Sequence, residues 1–154
     1  MTLTYIFHSG FVLETEQSIL VFDYWMDPSG VMDGVLRSEK PMYVFSSHFH
    51  EDHFTKEIFE WKKQREGITY ILSKDIYKHR RASKEDAAVW LAKGGTWSDD
   101  TLGARQFIER FKVGLFVPMH FTTGFESSWR MKEFTDEKDI TFWEINREGE
   151  TIEI

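Results

Sequence analysis

The sequence predicts a single α/β or mixed α+β domain over residues 1–154. Short strand patterns alternate with helix patterns along the chain, which is typical of these two fold classes. A length of 154 residues suits one domain, and 41% hydrophobic with 16% aromatic residues is enough for a packed core. The sequence contains no internal repeat and no low-complexity segment.

Four strands are predicted in the first third of the chain. Thr2–Phe7 and Phe11–Thr15 are rich in β-branched and aromatic residues. Ser18–Asp23 and Met42–Ser46 are short apolar runs of the kind found in buried strands. The segment Tyr24–Gly34, with its proline, glycines and aspartates, is predicted to be a loop between the last two strands.

Helices and strands alternate in the remainder of the chain. Ser83 and Asp86 have the spacing of a capping box, which predicts a helix that ends at Gly94-Gly95. Apolar residues at i, i+3, i+4 and i+7 (Ala104, Phe107, Ile108 and Phe111) predict one face of a further helix. The other predicted elements are a helix at Lys56–Glu66 capped by Thr55, strands at Ile68–Ser73 and Val113–Pro118, a helix at Ser127–Phe134, and a terminal hairpin of Thr141–Ile145 with Thr151–Ile154.

The composition excludes several kinds of protein. The formal charge is −7, and the only dense basic patch is Lys78–Arg81 (KHRR), which we expect to be a solvated turn or a small anion contact. Without cysteine there are no disulfides, Cys-ligated zinc or Cys nucleophiles. No apolar run approaches the roughly 20 residues of a membrane helix, and MTLTYIFHSG predicts a strand instead of a signal segment. We therefore expect a cytoplasmic protein without nucleic-acid or membrane partners.

The segment SSHFHEDHF, which begins at Ser46, carries the strongest functional signal. Its H-x-H-x-D-H pattern contains three of the six histidines of the chain, His48, His50 and His53, together with Asp52. Imidazoles and carboxylates are the ligands that zinc and similar ions prefer. Alternate residues of an extended segment point the same way, so His48 and His50 can share one ion. Asp52 and His53 are adjacent and are expected to point apart, which suits a second ion.

This segment resembles the signature of the metallo-β-lactamase fold hydrolases. FHSGFVLE followed by ILVFDYW is similar to the opening strands of the ascorbate-phosphate-lactonase-like branch, and LFVPMHF resembles the last histidine motif of that branch. The resemblance implies a four-layer αββα sandwich with a dinuclear zinc, iron or manganese site at one edge. It also implies that metal-activated water hydrolyses a small-molecule ester, lactone or phosphoester.

The resemblance assigns a role to each matching residue. The implied metal ligands are His48 and His50 for one ion, and Asp52, His53 and His120 for the other. Asp52 would also orient or deprotonate the attacking water. Asp23 would hold a ligand histidine by a hydrogen bond, and His8 would lie at the edge of the site.

The sequence departs from the family pattern between the first cluster and the last histidine. The family places a further histidine there and a bridging aspartate, usually in a G-D pair. Here the stretch contains one histidine, His79, predicted to be a surface residue, and no G-D pair. A block of the family's middle is therefore expected to be missing near Asp100–Leu102, which leaves a reduced sandwich without its central strands. Asp99 or Asp100 would supply a bridge only if their loop folds back.

Two functions compete on these observations. The first is a metal-dependent hydrolase of a small molecule, which the set of five ligand residues favours. The second is a catalytically impaired relic that serves as a metal-binding or assembly module, which the missing bridging aspartate favours. A serine hydrolase that uses Ser46 or Ser47 is disfavoured, because the sequence has no G-x-S-x-G elbow.

The expected loss of central strands predicts a homo-oligomer. Removing strands from a two-sheet sandwich exposes sheet edges and apolar faces, and association of chains or strand exchange would cover them. Light scattering at micromolar concentration should give a mass of at least two chains. A clean monomer under these conditions would count against the prediction.

Overall fold

The computed structural model describes residues 1–83, 86, 89–91, 105, 108–119, 125 and 131–154. These residues form helices and a mixed sheet, so the predicted α/β class is confirmed. Their contacts fall into two compact units, Met1–Gly94 with Glu148–Ile154, and Gly95–Arg147. The expected junction near Asp100–Leu102 lies outside the described residues, so the internal deletion and the reduced sandwich stay predictions.

The first unit is built on a seven-stranded sheet with the order β6-β5-β4-β3-β2-β1-β9. Strands β9, β1, β2 and β3 pair antiparallel, whereas β3 to β6 pair parallel. The strands of this sheet are β1 (Thr2–Phe7), β2 (Gly10–Glu14), β3 (Ile19–Phe22), β4 (Met42–Ser46), β5 (Ile68–Ser73), β6 (Val89–Leu91) and β9 (Thr151–Glu153). The first five match the predicted strands within about two residues at each end.

The register of these strands brings four chain segments to one edge of the sheet. Phe22 at the end of β3 pairs with Phe45 near the end of β4, and with Phe11 near the start of β2. The β1–β2 turn therefore lies beside the carboxyl ends of β3 and β4, and Ser46 pairs with Leu72 of β5. In open sheets with parallel strands, ligands bind at this carboxyl edge.

Among the residues that the structure describes, the first unit contains the following helical segments with defined bounds. They are α1 (Val31–Leu36), a 3₁₀ helix (Lys56–Lys63) and α2 (Lys74–Lys78). The predicted cap is present, because the Thr55 hydroxyl accepts a hydrogen bond from the backbone N–H of Glu57. Buried residues from these helices join Val44, Leu72 and other strand residues in one apolar core. This core fixes the strands whose ends carry the histidine segment.

Helix α1 corrects the prediction of a loop over Tyr24–Gly34. The Asp27 carboxylate accepts hydrogen bonds from the backbone N–H groups of Val31 at 3.0 Å and Met32 at 2.7 Å. These contacts satisfy donors that the first turn of a helix leaves open. Met32 and Leu36 are both buried in the core, which holds the short helix in place.

The helix predicted from Ser83 to Gly94-Gly95 is also wrong in part, since Val89–Leu91 form strand β6. One half of the capping box is present, because the Ser83 backbone N–H donates to Asp86 Oδ2 at 2.6 Å. Val89 pairs with Ile71 at the edge of the parallel sheet. This pairing depends on a strand distant in the sequence, which a local helix pattern does not reveal.

The predicted terminal hairpin is not formed. Strand β8 (Thr141–Phe142) pairs in parallel with β7 (Leu115–Phe116) in the second unit, whereas β9 pairs antiparallel with β1 in the first. Gly149, with φ +74°, turns the chain between them, and its backbone N–H donates to the Tyr5 carbonyl at 2.8 Å. Strand β9 therefore pairs with the distant strand β1 and not with β8, its neighbour in the sequence.

The second unit contains β7, β8 and helix α3 (Lys132–Glu137), around a cluster of Ile108, Met131 and Ile140. Residues 108–110 are helical, as predicted, but Phe111 is 57% exposed and does not continue the apolar face. Of the predicted helix at Ser127–Phe134, Lys132–Phe134 are helical and belong to α3, whereas residues 127–130 lie outside the described residues. Ala104 and Phe107 lie outside them. Within the described residues, no helix is long and apolar enough to cross a membrane.

The core predicts how a truncation on β5 affects stability. Leu72 is fully buried, so Leu72→Ala should lower the free energy of unfolding by about 2–5 kcal/mol through lost burial and a residual cavity. Urea denaturation measures this change. The control is Ile71→Ala on the same strand, where the side chain is only partly buried and the loss should be clearly smaller. Equal losses for both variants would contradict the structure, in which the Leu72 side chain is fully buried and the Ile71 side chain is only partly buried.

Candidate metal centre

Three segments meet at the carboxyl edge of the first sheet. His8 lies in the two-residue turn between β1 and β2, and Asp23 directly follows β3. The segment Ser47–His53 directly follows β4. The turn is tight at Gly10, where a Cβ atom would lie 3.0 Å from the Phe7 carbonyl oxygen. The strand register thus brings His8, Asp23 and the histidine segment together.

The Asp23 carboxylate binds both ends of the histidine segment. Its Oδ1 accepts the backbone N–H of Ser47 at 2.7 Å, and its Oδ2 accepts the Ser47 hydroxyl at 2.8 Å. Oδ2 also lies 2.9 Å from Nδ1 of His53, and both residues are buried. Asp23 therefore makes the kind of contact that the resemblance implied, with His53 as the histidine held.

These hydrogen bonds select the tautomers of two imidazoles. The carboxylate accepts a hydrogen bond from Nδ1–H of His53, so a neutral His53 has its lone pair on Nε2. The Ser47 hydroxyl donates its hydrogen bond to Asp23, so Nδ1–H of His48, 3.0 Å away, donates to Ser47 Oγ. A neutral His48 then has its lone pair on Nε2 as well. This is the arrangement in which outer hydrogen bonds prepare a histidine to bind a metal ion.

The three histidines of the segment lie close to one another. Nε2 of His48 is 3.1 Å from Nδ1 of His50, and the rings of His48 and His53 are 4.0 Å apart between centroids. Burial, with the neighbouring His53 and His50 imidazoles, lowers the pKa of His48. The neutral form, which binds metal ions, is therefore favoured at neutral pH.

Asp52 lies between two imidazoles. Its Oδ2 is 3.1 Å from Nε2 of His8 and 3.5 Å from Nε2 of His53. The expectation that Asp52 and His53 point apart is wrong, because the chain turns here and the His53 backbone N–H donates to the His50 carbonyl at 3.0 Å. The carboxylate and the His53 lone pair repel each other unless a proton or a cation lies between them.

Two residues of the site have left-handed backbone conformations. His8 has φ +56° and Asp23 has φ +44°, values that cost free energy for residues other than glycine. The Tyr5 hydroxyl supports the first of them by accepting the His8 backbone N–H at 2.6 Å, and burial raises the pKa of this tyrosine to about 12. Strained residues of this kind concentrate at functional sites, where the surrounding contacts hold them.

The predicted ligand set is thus brought together in pairs. Among the residues that the structure describes, no group of three or more His, Asp or Glu side chains is arranged around one point that could hold a metal ion. His120 and the possible bridges Asp99 and Asp100 lie outside those residues. The ligand assignments of His48, His50, Asp52, His53 and His120 therefore stay predictions, although the donor chemistry of the first four fits a divalent cation.

Sequence reasoning missed the structural roles of three residues. Ser47 was considered only as a nucleophile, yet its hydroxyl connects Asp23 to His48. Tyr5 supports the His8 turn, and the Trp25 ring packs edge-on against His8 at 5.6 Å between centroids. A serine before H-x-H was the only local signal available, since the other two contacts depend on strand register.

Known proteins were compared with the chain by sequence and by structure. No protein-family model matches the sequence, and no curated protein matches it at a significant level. The fold is similar to that of Igni18, described as a novel metallo hydrolase from the hyperthermophilic archaeon Ignicoccus hospitalis KIN4/I. The TM-score is 0.60 with 17% sequence identity, over 98% of this chain and 97% of that chain. The likeness is one of fold. It is consistent with the predicted metallo-β-lactamase-like architecture.

The Asp23 contacts predict a measurable loss of stability. Asp23→Asn leaves the size of the side chain nearly unchanged, and asparagine tolerates positive φ as aspartate does. The amide nitrogen of asparagine, however, cannot accept the hydrogen bonds that the corresponding carboxylate oxygen accepts. We expect the free energy of unfolding to fall by about 1–3 kcal/mol, measured by urea denaturation.

Asp139→Asn is the matched control for this substitution. Asp139 also has positive φ, +55°, but is exposed, so its substitution should change stability by less than about 0.5 kcal/mol. Equal losses of stability in both variants would mean that the buried hydrogen bonds of the Asp23 carboxylate are not responsible for the change.

Proposed function

We propose that the chain is a metal-dependent hydrolase that acts on a small-molecule ester, lactone or phosphoester. The observation that carries the proposal is the pair of hydrogen bonds that set Nε2 of His48 and of His53 as lone-pair donors beside Asp52. The fold likeness to a metallo hydrolase supports the same chemistry at a coarse level. We keep the ascorbate-phosphate-lactonase-like branch, the reduced sandwich and a cytoplasmic homo-oligomer as parts of this proposal.

A divalent cation, zinc by preference and otherwise manganese or iron, would supply an activated water and polarise the scissile bond. His48 and His50 would hold one ion, and Asp52, His53 and His120 would hold a second where one binds. His48 and His50 now contact each other at 3.1 Å, so a rotation of one ring is needed before both face one ion. Asp23 keeps His53 in place during that adjustment.

Asp52 is the residue that we assign to proton transfer. Its side chain is 28% exposed, so it is within reach of water, and His8 fixes its Oδ2 at 3.1 Å. A positioned carboxylate of this kind can accept a proton from the attacking water and contributes a factor of about 10²–10⁴ to the rate. His8 thus acts through Asp52, and Tyr5 acts through His8.

A second function is favoured by a separate observation. The described residues do not contain three ligand side chains around one point. A relic without a functional centre would lack such a group. Such a chain would bind one ion or none and would serve as a metal-binding or assembly module. The measurement of metal content separates the two functions.

The test is metal content per chain by plasma mass spectrometry, on untagged protein purified without added metal. We expect one or two ions per chain, and one ion fewer in His50→Ala, which removes a ligand of the first ion. Glu51→Gln is the control, because it removes a carboxylate from the same segment that is highly exposed, at 78% of the side chain. It should retain the metal.

The metal-loaded protein is then assayed on nitrophenyl esters, a simple lactone and nitrophenyl phosphodiesters. Asp52→Asn should lower kcat by about 10²–10⁴ on any substrate that turns over. No metal after incubation with zinc, manganese or iron would rule out the hydrolase and leave the relic. A bound metal with equal turnover in the wild type and Asp52→Asn would remove Asp52 from its role.

A further inference from the structure

A cleft of about 310 Å³ lies directly beside the histidine segment. Glu51 and Phe54 of that segment form one wall, and Trp25, Lys56 and Arg81 line the remainder. Trp25 is the ring that packs against His8 at the edge of the site. Lys56 and Arg81 also line an adjoining cleft of about 330 Å³, together with Arg80. A volume of this size suits a small molecule.

The charge of this region is opposite to that of the chain. The chain carries a formal charge of −7, yet three cationic side chains face the two clefts against the carboxylates of Glu51 and Asp86. Asp86 is already engaged, since its Oδ2 accepts the Ser83 backbone N–H at 2.6 Å. Glu51 approaches Arg81 only to 3.8 Å, and both side chains are substantially exposed, so the pair is weak. Arg81 therefore retains donors for a ligand.

The basic turn Lys78–Arg81 contacts the histidine segment through a pair of stacked rings. The rings of Phe49 and His79 stack at 3.8 Å between centroids, with 18° between their planes. Helix α2 ends in a Schellman motif, in which the backbone N–H groups of Arg80 and Arg81 donate to the carbonyls of Tyr77 and Ile76. Arg80 has φ +57° at the position of this motif where glycine is usual. Lys78–Arg81 (KHRR) are all exposed, as expected of a solvated turn, and the stacking of His79 on Phe49 attaches this turn to the histidine segment.

We propose that Lys56 and Arg81 bind an oxyanion of the substrate, a phosphate or carboxylate group, in the cleft beside the histidine segment. A guanidinium and an ammonium group that line the same cleft are suited to bind such a group, and the Trp25 ring offers an apolar surface to the rest of the molecule. The inference rests on the proposed hydrolase, because it names the part of the substrate that lies next to the scissile bond. The binding itself does not require a metal ion, so it is tested separately.

The experiment titrates the chelator-treated full chain with inorganic phosphate, and in a second series with acetate, and follows amide shifts by NMR. The shifts should centre on residues 80–81 and 55–56, and Arg81→Gln should weaken binding about fivefold. Lys56→Gln should have a similar effect. A response to phosphate identifies a phosphate subsite, and a response to acetate alone identifies a carboxylate subsite.

Arg37→Gln is the matched control, because it removes the same charge from an exposed arginine at another cleft of the same unit. It should leave the affinity unchanged. Equal weakening by Arg37→Gln and Arg81→Gln would mean that only net charge matters, and would overturn the proposal. An absence of anion binding would also overturn the proposal. Anion binding by a chain that takes up no metal would contradict the proposed hydrolase function but would support the anion-binding site.

Discussion

The organisation of the site depends on the buried carboxylate of Asp23. It accepts hydrogen bonds from Ser47 at the start of the histidine segment and from His53 at its end, so one side chain fixes both ends of the segment. Charged acceptors make stronger hydrogen bonds than neutral ones, and a buried carboxylate is stable only where such donors surround it. The left-handed backbone at Asp23 is tolerated because these donors hold it. Without this anchor, His48, His50 and Asp52 would belong to a surface loop with no defined geometry.

The sheet could be predicted from the sequence because its strands are apolar runs whose signal is local. Ile19–Phe22 and Met42–Ser46 needed no knowledge of their partners. Strand β6 and the pairing of β9 with β1 could not be predicted, since both depend on edges formed by distant strands. The cluster of His48, His50, Asp52 and His53 is evident from its spacing. The role of the Asp23 carboxylate, in contrast, could be predicted only through a family resemblance. The contacts of Ser47, Tyr5 and Trp25 follow from register, which a single sequence does not specify.

Spacing alone also gives an incomplete description of the ligands. H-x-H on an extended segment places two imidazoles on one side, and His48 and His50 do contact each other. The D-H pair was expected to diverge on the same reasoning, but a turn at His50 to His53 brings the two side chains to 3.5 Å. A turn thus converts a linear motif into a convergent one. The resulting approach of the Asp52 carboxylate to Nε2 of His53 is favourable when a proton or a cation lies between the two atoms.

The residues between the donors have their own contacts. Phe49, which separates His48 from His50, stacks on His79, and Glu51 faces Arg81. Phe49 and Glu51 therefore face the basic turn that follows helix α2, whereas Ser47, Asp52 and His53 contact Asp23 and His8. The same short segment thus contacts Asp23 and His8 through His53 and Asp52, and lines the cleft with Lys56 and Arg81 through Glu51 and Phe54. A change in the length or spacing of the segment would therefore disturb both sets of contacts.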